Sequence, residues 1–140
     1  MTERGFRFET SIDVRFRDLD LMGWTHNSVL LVYVEEARIL YFRKVFDTKL
    51  EEIDGAIVHQ EIDYESPVNY GQDVTVYHRV NKIGKSSLTA QFRVESNGEI
   101  AAEGEVTYVV LDEEGTPRQI PPDWKHKICS FEPAEVEVHE

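Results

Sequence analysis

Asp18, Asp20, Gly23, His26 and Asn27 crowd into ten consecutive positions, more chemistry than a plain connector carries. Directly after them the chain turns apolar, through Val29, Leu30, Leu31, Val32, Tyr33, Val34, Ala37, Ile39, Leu40, Tyr41, Phe42, Val45 and Phe46. So little polar face predicts a helix buried nearly all round. The first turn of such a helix offers unpaired backbone N–H groups and the positive end of its dipole. A carbonyl held there would be polarised, and a carboxylate on the preceding loop, Asp18 or Asp20, would stand beside it as nucleophile or general base.

Each residue of the cluster also has a plainer role. Asp20 is a residue type that caps turns, and Asn27 is a favoured helix N-cap. Gly23 supplies a backbone conformation closed to other residues and leaves room for a substrate. His26 is a candidate acid, base or substrate contact, or a packed or surface histidine. Glu35 and Arg38, three apart on the helix, are placed to pair. The five histidines include no H-x-x-x-H or H-E-x-x-H spacing, so no metal site is expected. The single cysteine, Cys129, excludes an internal disulfide.

The elements that must position these residues follow from periodicity. Asp13 to Phe16 alternate in strand fashion before the cluster, and Asp47 to Gly55 form a polar connector with a turn signal at Asp54-Gly55. Four further strand patterns follow: Val58 to Glu65, Val74 to Asn81, Leu88 to Val94 and Ala102 to Val110. Period-two alternation gives each one wet and one buried face. Gly84-Lys85 and Asn97-Gly98 mark hairpins between the last three, and Pro121-Pro122-Asp123-Trp124 opens a short terminal helix. One long helix with antiparallel strands is an α+β plan in which the sheet wraps the helix.

A chain of 140 residues fits a single domain with its own core. Its net charge of −12 argues against nucleic acid and anionic membrane partners. No apolar run approaches the ~18 residues of a membrane span, and the start MTERGFRFET has no signal-peptide core, so the expected location is cytoplasmic. The acidic tail 132–140 has no opposing Lys or Arg and is expected at the surface.

The segment Arg15 to Arg38, RFRDLDLMGWTHNSVLLVYVEEAR, resembles the start of a hotdog-fold acyl-CoA thioesterase of the 4-hydroxybenzoyl-CoA thioesterase type. Relatives read R-(aromatic)-x-D-x-D-x-x-G-H-V-N-N, then an apolar helix containing Y-x-E-x-A-R. Arg15, Phe16, Asp18, Asp20, Gly23, Asn27, Tyr33, Glu35, Ala37 and Arg38 fall in that register without a gap. Trp24 stands where many relatives have His, and His26 where many have the first Asn. The resemblance extends over Phe8 to Ile128, through Pro67-Val68, Tyr70-Gly71 and the hairpin Ile83 to Ser87. It implies a hotdog fold and a homodimer or homotetramer with active sites between subunits, and it needs no cofactor. It implies Asp20 as the catalytic carboxylate and Asp18 as loop support. The Asn27 N–H would hold the thioester oxygen, with Gly23 completing the loop. Trp24, His26 and Tyr33 would meet the acyl group or an interface, while Lys85 and Ser86 would meet the coenzyme A nucleotide. Glu35 is a secondary candidate, because another hotdog branch recruits a helix carboxylate.

The implied reaction is hydrolysis of an acyl-CoA thioester. One rival is action on acyl carrier protein thioesters, disfavoured because an acidic carrier meets a −12 surface. Another is a non-catalytic acyl-CoA-binding module, which commonly lacks the loop carboxylate and carries a DNA-binding extension. A hotdog dehydratase would need a catalytic His in a different loop pattern.

Overall fold

The computed structural model describes residues 5–47 and 55–139. The alternating stretches become three long antiparallel strands, β3 (Val74–Ile83), β4 (Ser87–Ser96) and β5 (Glu99–Val110). They turn Val74, Val76, Val80, Leu88, Ala90, Phe92, Val94, Ala102, Val106 and Val110 to one buried face. The β4–β5 turn has Asn97 at φ 52° and Gly98 at φ 83°, the primed geometry whose twist matches that of the flanking strands. β1 (Phe8–Ile12) pairs with β3, and β2 (Gly55–Tyr64) with β5, giving the order β1-β3-β4-β5-β2.

Across the apolar face lies α1 (Asn27–Phe46), 20 residues and so ~30 Å long. It buries Leu30, Tyr33, Val34, Ala37, Tyr41, Phe42 and Phe46. An antiparallel sheet around one long helix is the expected hotdog α+β plan. The helix is not buried all round, however: Val32 is 45% and Leu40 39% exposed. Within one chain the sheet covers only one side of it.

Two strand expectations need correction. The first strand is Phe8–Ile12, and the chain from Asp13 leaves the sheet to form a 3-10 turn at Phe16–Asp18. The turn is favoured because Asp18 both donates its N–H to Arg15 O (2.9 Å) and accepts the Arg15 N–H on its carboxylate (3.0 Å). In β2 nearly every residue is exposed, Ile57 and Val58 included, instead of one face in two. β2 is a sheet edge with a bulge at Val58, and α1 packs on β3, β1 and β4 instead. Most of the connector before β2 lies outside the described residues, Asp54 included, and Gly55 is already strand.

α2 (Pro122–Phe131) begins with proline, as predicted, and stacks Trp124 on Phe46 with ring centroids 4.4 Å apart. Lys127 Nζ donates to Phe46 O at 3.1 Å, satisfying a carbonyl that the end of α1 leaves open. The acidic tail is not wholly at the surface. Glu132 is buried, accepting hydrogen bonds from the Tyr41 hydroxyl and from Val80 N–H (3.2 Å). The chain then adds β6 (Glu137–Val138) in parallel beside Lys82 and Ile83, with Glu135 and Glu137 left exposed. No helix among the described residues is long and apolar enough to cross a membrane.

Candidate active site

The residues between the 3-10 turn and α1 form a small hairpin. Leu19 bridges Thr25, Asp20 N–H donates to Trp24 O (2.6 Å), and Gly23 N–H donates to Asp20 O (3.1 Å). Leu21 and Met22 occupy the turn centre, and Gly23 closes it at φ +84°, the left-handed position of a three-residue hairpin loop. A Cβ at Gly23 would meet no atom within 4 Å, so conformation rather than crowding favours glycine there. The Asp20 side chain holds this tip: its Oδ1 accepts N–H bonds from Met22 (2.8 Å) and Trp24 (3.1 Å). The plain role is therefore real, and it occupies one oxygen. Oδ2 has no hydrogen-bond partner among the described residues.

The hairpin base joins directly to the helix. Asp18 O accepts the His26 N–H (2.9 Å), and Val29 and Leu30 N–H bond back to His26 O (3.0 and 3.2 Å). His26 is thus the N-cap and Asn27 the first helical residue, a shift of one from the expected cap; neither caps through its side chain. The N–H groups of Asn27 and Ser28 have no acceptor among the described residues, so the helix presents free donors at its exposed N-terminus. Asp20 lies two strand positions beyond His26, about 7 Å along the hairpin.

Asp18 is only 3% exposed and faces inward. Its Oδ2 accepts the Tyr33 hydroxyl (2.6 Å) and the Arg15 N–H, and the Arg15 guanidinium stands 3.4 Å from the carboxylate. Burial pushes the Asp18 carboxyl up, but the bonds from Tyr33 and Arg15 outweigh it and hold it below its ordinary value. Burial first, then the hydrogen bond to Asp18 and the Asp18 charge, raises the Tyr33 hydroxyl, which stays protonated. The two aspartates are thus separated by environment into a buried ionic anchor and a turn carboxylate with one open oxygen.

Tyr33, expected toward the acyl group, is 2% exposed with its hydroxyl committed to Asp18; within this chain it offers no substrate surface. Trp24 stays at the site, 45% exposed and bridged to Asn69, and the His26 side chain is exposed. Lys85 and Ser86 are not brought to Asp20. Their carbonyls accept Ile120 and Val110 N–H (both 2.9 Å) near the far end of α1, and the length of β4 from Ser87 to Val94 separates them from the hairpin, about 25 Å. Glu35 pairs with Arg38 at 3.7 Å and points outward. Among the described residues no group of three or more His, Cys, Asp or Glu could hold a metal ion.

Two features escaped the periodicity argument. Phe16, Leu21, Met22 and Tyr70 are all exposed on or beside the hairpin, with Phe16 and Tyr70 rings edge to face at 6.3 Å, so the open carboxylate has apolar neighbours. In addition, Tyr64 at the end of β2 donates to Asn27 O at 3.1 Å, tying the exposed sheet edge to the helix N-terminus. The alternation of β2 marks Tyr64 as a strand residue; nothing local marks its partner.

Known proteins share this fold. A thioesterase from Thermus thermophilus, complexed with coenzyme A and zinc, superposes with TM-score 0.89 at 38% identity, over 95% of this chain and 99% of that one. A predicted thioesterase from Bacillus stearothermophilus superposes with TM-score 0.82 at 32% identity, over 91% of this chain and 98% of that one. The uncharacterized protein YsmA of Bacillus subtilis (strain 168) is 30% identical over 111 residues, 78% of this chain and 76% of its own length. The thioesterase-like superfamily pattern matches residues 14–128, the span that holds the hairpin, the central helix and the sheet, and the chain belongs to that superfamily.

Proposed function

We propose that this protein hydrolyses acyl-CoA thioesters to the free acid and coenzyme A, in the manner of the 4-hydroxybenzoyl-CoA thioesterase type. The observation that carries the reading is the Asp20 hairpin: a carboxylate with one oxygen tied down and one open, next to a helix start with unpaired N–H groups. The likeness to a thioesterase complexed with coenzyme A supports it. The thioester oxygen sits against the Asn27 and Ser28 N–H groups, which stabilise the tetrahedral oxyanion by ~3 kcal/mol per donor. Asp20 Oδ2 attacks the carbonyl carbon, coenzyme A leaves as thiolate, and water cleaves the resulting mixed anhydride. Alternatively Asp20 takes a proton from a water that attacks directly. Trp24 and the exposed apolar residues around it border the acyl group.

The active unit on this reading is a homodimer or a homotetramer built from such dimers. β2 presents an open edge with Ile57 and Val58 exposed, and Val32 and Leu40 of α1 are uncovered as well. Unpaired edges with apolar side chains favour pairing with another strand. The Tyr64 bond to Asn27 would bring that interface to the catalytic end of the helix.

Thiol release from short, long and aromatic acyl-CoAs tests the reading, comparing wild type with Asp20→Asn. The amide keeps an oxygen for the Met22 and Trp24 N–H groups, so the hairpin should survive while kcat falls at least ~100-fold. If no ester is cleaved the thioesterase reading fails, and if Asp20→Asn keeps full activity Asp20 has no chemical role.

A further inference from the structure

The hairpin that carries Asp20 is exposed along most of its length, from Leu21 to Gly23 and again at Trp24 and His26. What joins it to the interior is at its base. Asp18 O holds the His26 N–H, Thr25 N–H donates to Val68 O (2.8 Å), and the Asp18 carboxylate reaches Tyr33 across 15 residues of chain. Tyr33 lies on the same rigid helix whose first residues offer the N–H donors, six positions after Asn27. One buried carboxylate therefore connects the strand entering the hairpin to the helix that polarises the carbonyl. Tyr33 is nearly inaccessible, which leaves contact with substrate in this chain out of its role.

We propose that Tyr33, acting through Asp18, is a positioning residue that sets the distance between the Asp20 carboxylate and the helix N–H donors. The kinetic consequence rests on the thioesterase reading; the mechanical one does not. Arg15 alone cannot supply the same constraint, because its N–H and guanidinium belong to the segment being positioned and are three residues from Asp18. A hydrogen bond to the helix fixes that segment against the donors, and near-attack geometry is sensitive to displacements of about an ångström, worth up to ~100-fold in rate.

The test is Tyr33→Phe, which keeps the ring and removes only the hydroxyl, alone and combined with Asp18→Ala, which removes the acceptor. Steady-state hydrolysis of the best acyl-CoA should show kcat reduced by about 10- to 100-fold with KM changed less than about threefold, since uniform binding is untouched. The double variant should lose little more than the worse single variant, because both changes cut one connection. Amide hydrogen exchange supplies the second readout: the hydrogen-bonded amides of residues 18–26 should exchange about tenfold faster in Tyr33→Phe while β4 stays as in wild type. If wild type cleaves no acyl-CoA, the thioesterase reading falls, and exchange alone decides the positioning claim. Unchanged exchange overturns it, as does full kcat in Tyr33→Phe or a multiplicative loss in the double variant.

Discussion

Asp18 and Asp20 are two residues apart, yet replacing each by alanine should damage different properties. In Asp18→Ala the buried Tyr33 hydroxyl and the part-buried Arg15 N–H both lose their acceptor. A buried donor left unpaired costs about 1–3 kcal/mol, and an N–H that water can partly reach costs less, so about 2–4 kcal/mol is expected. In Asp20→Ala the Met22 and Trp24 N–H groups are exposed, and water replaces the lost oxygen. That change should cost no more than ~1 kcal/mol. Urea unfolding followed by circular dichroism, at one fixed protein concentration because the chain is proposed to self-associate, measures both. With a slope of about 2 kcal/mol per molar urea, Asp18→Ala should lower the midpoint by about 1–2 M and Asp20→Ala by less than about 0.5 M. Thiol release should rank the two differently, with Asp20→Ala abolishing turnover in a protein that remains folded. Equal midpoint shifts for the two variants, or a larger one for Asp20→Ala, would refute the division into anchor and reactive carboxylate.

His78 is wholly buried against Tyr41 and Phe42, and burial, then Arg38, push its imidazole down to about 3 from 6.5. Between those values the unfolded chain binds a proton that the folded chain refuses, so stability falls as pH drops below 6.5, by up to ~1.4 kcal/mol per pH unit. His78→Leu removes this contribution: its stability relative to wild type should rise by about 2 kcal/mol between pH 7 and pH 5, and a pH-independent difference sinks the argument. Gly104→Ala places a Cβ 2.0 Å from Glu61 O and 2.7 Å from Phe92 Cζ, forcing β2 off β5. A loss of about 2 kcal/mol or more is expected in urea unfolding, and an unchanged midpoint contradicts it. Ile57→Asp puts a charge on the open β2 edge and should shift light-scattering mass toward the monomer with the circular dichroism spectrum retained; a mass equal to wild type removes β2 as the subunit interface.

Much of the architecture is legible because its causes are local. Asn97-Gly98 accepts positive φ at two consecutive positions, Pro121-Pro122 starts a helix, and alternation in β3, β4 and β5 needs only the two-residue period of an extended chain. The Asp20 to Gly23 turn is local in the same sense: an Asp that bonds the N–H two residues on, followed by a glycine for the left-handed position. The chemistry-bearing cluster and its place at a helix start follow from the chain alone. Those interactions close within a few residues, where side-chain type and backbone preference decide the outcome.

Burial is different, because it depends on what the rest of the chain brings alongside. Periodicity treats Asp18 and Asp20 alike; only the packed helix, with Tyr33 arriving from 15 residues away, makes one an anchor and leaves an oxygen of the other open. The acidic tail reads as solvated, yet Glu132 meets Tyr41 from 91 residues away and closes the edge of β3. β2 has the pattern of a half-buried strand, but its edge position, with α1 lying over β3 and β4, leaves both faces uncovered. Lys85 and Ser86 have suitable chemistry for an anion, and the length of β4 keeps them from Asp20 within one chain. Local pattern set the central helix, the three long strands, the turns and the reactive residue types, whereas the place of the first strand and which residues are buried, paired or open follow from contacts between segments far apart in the chain.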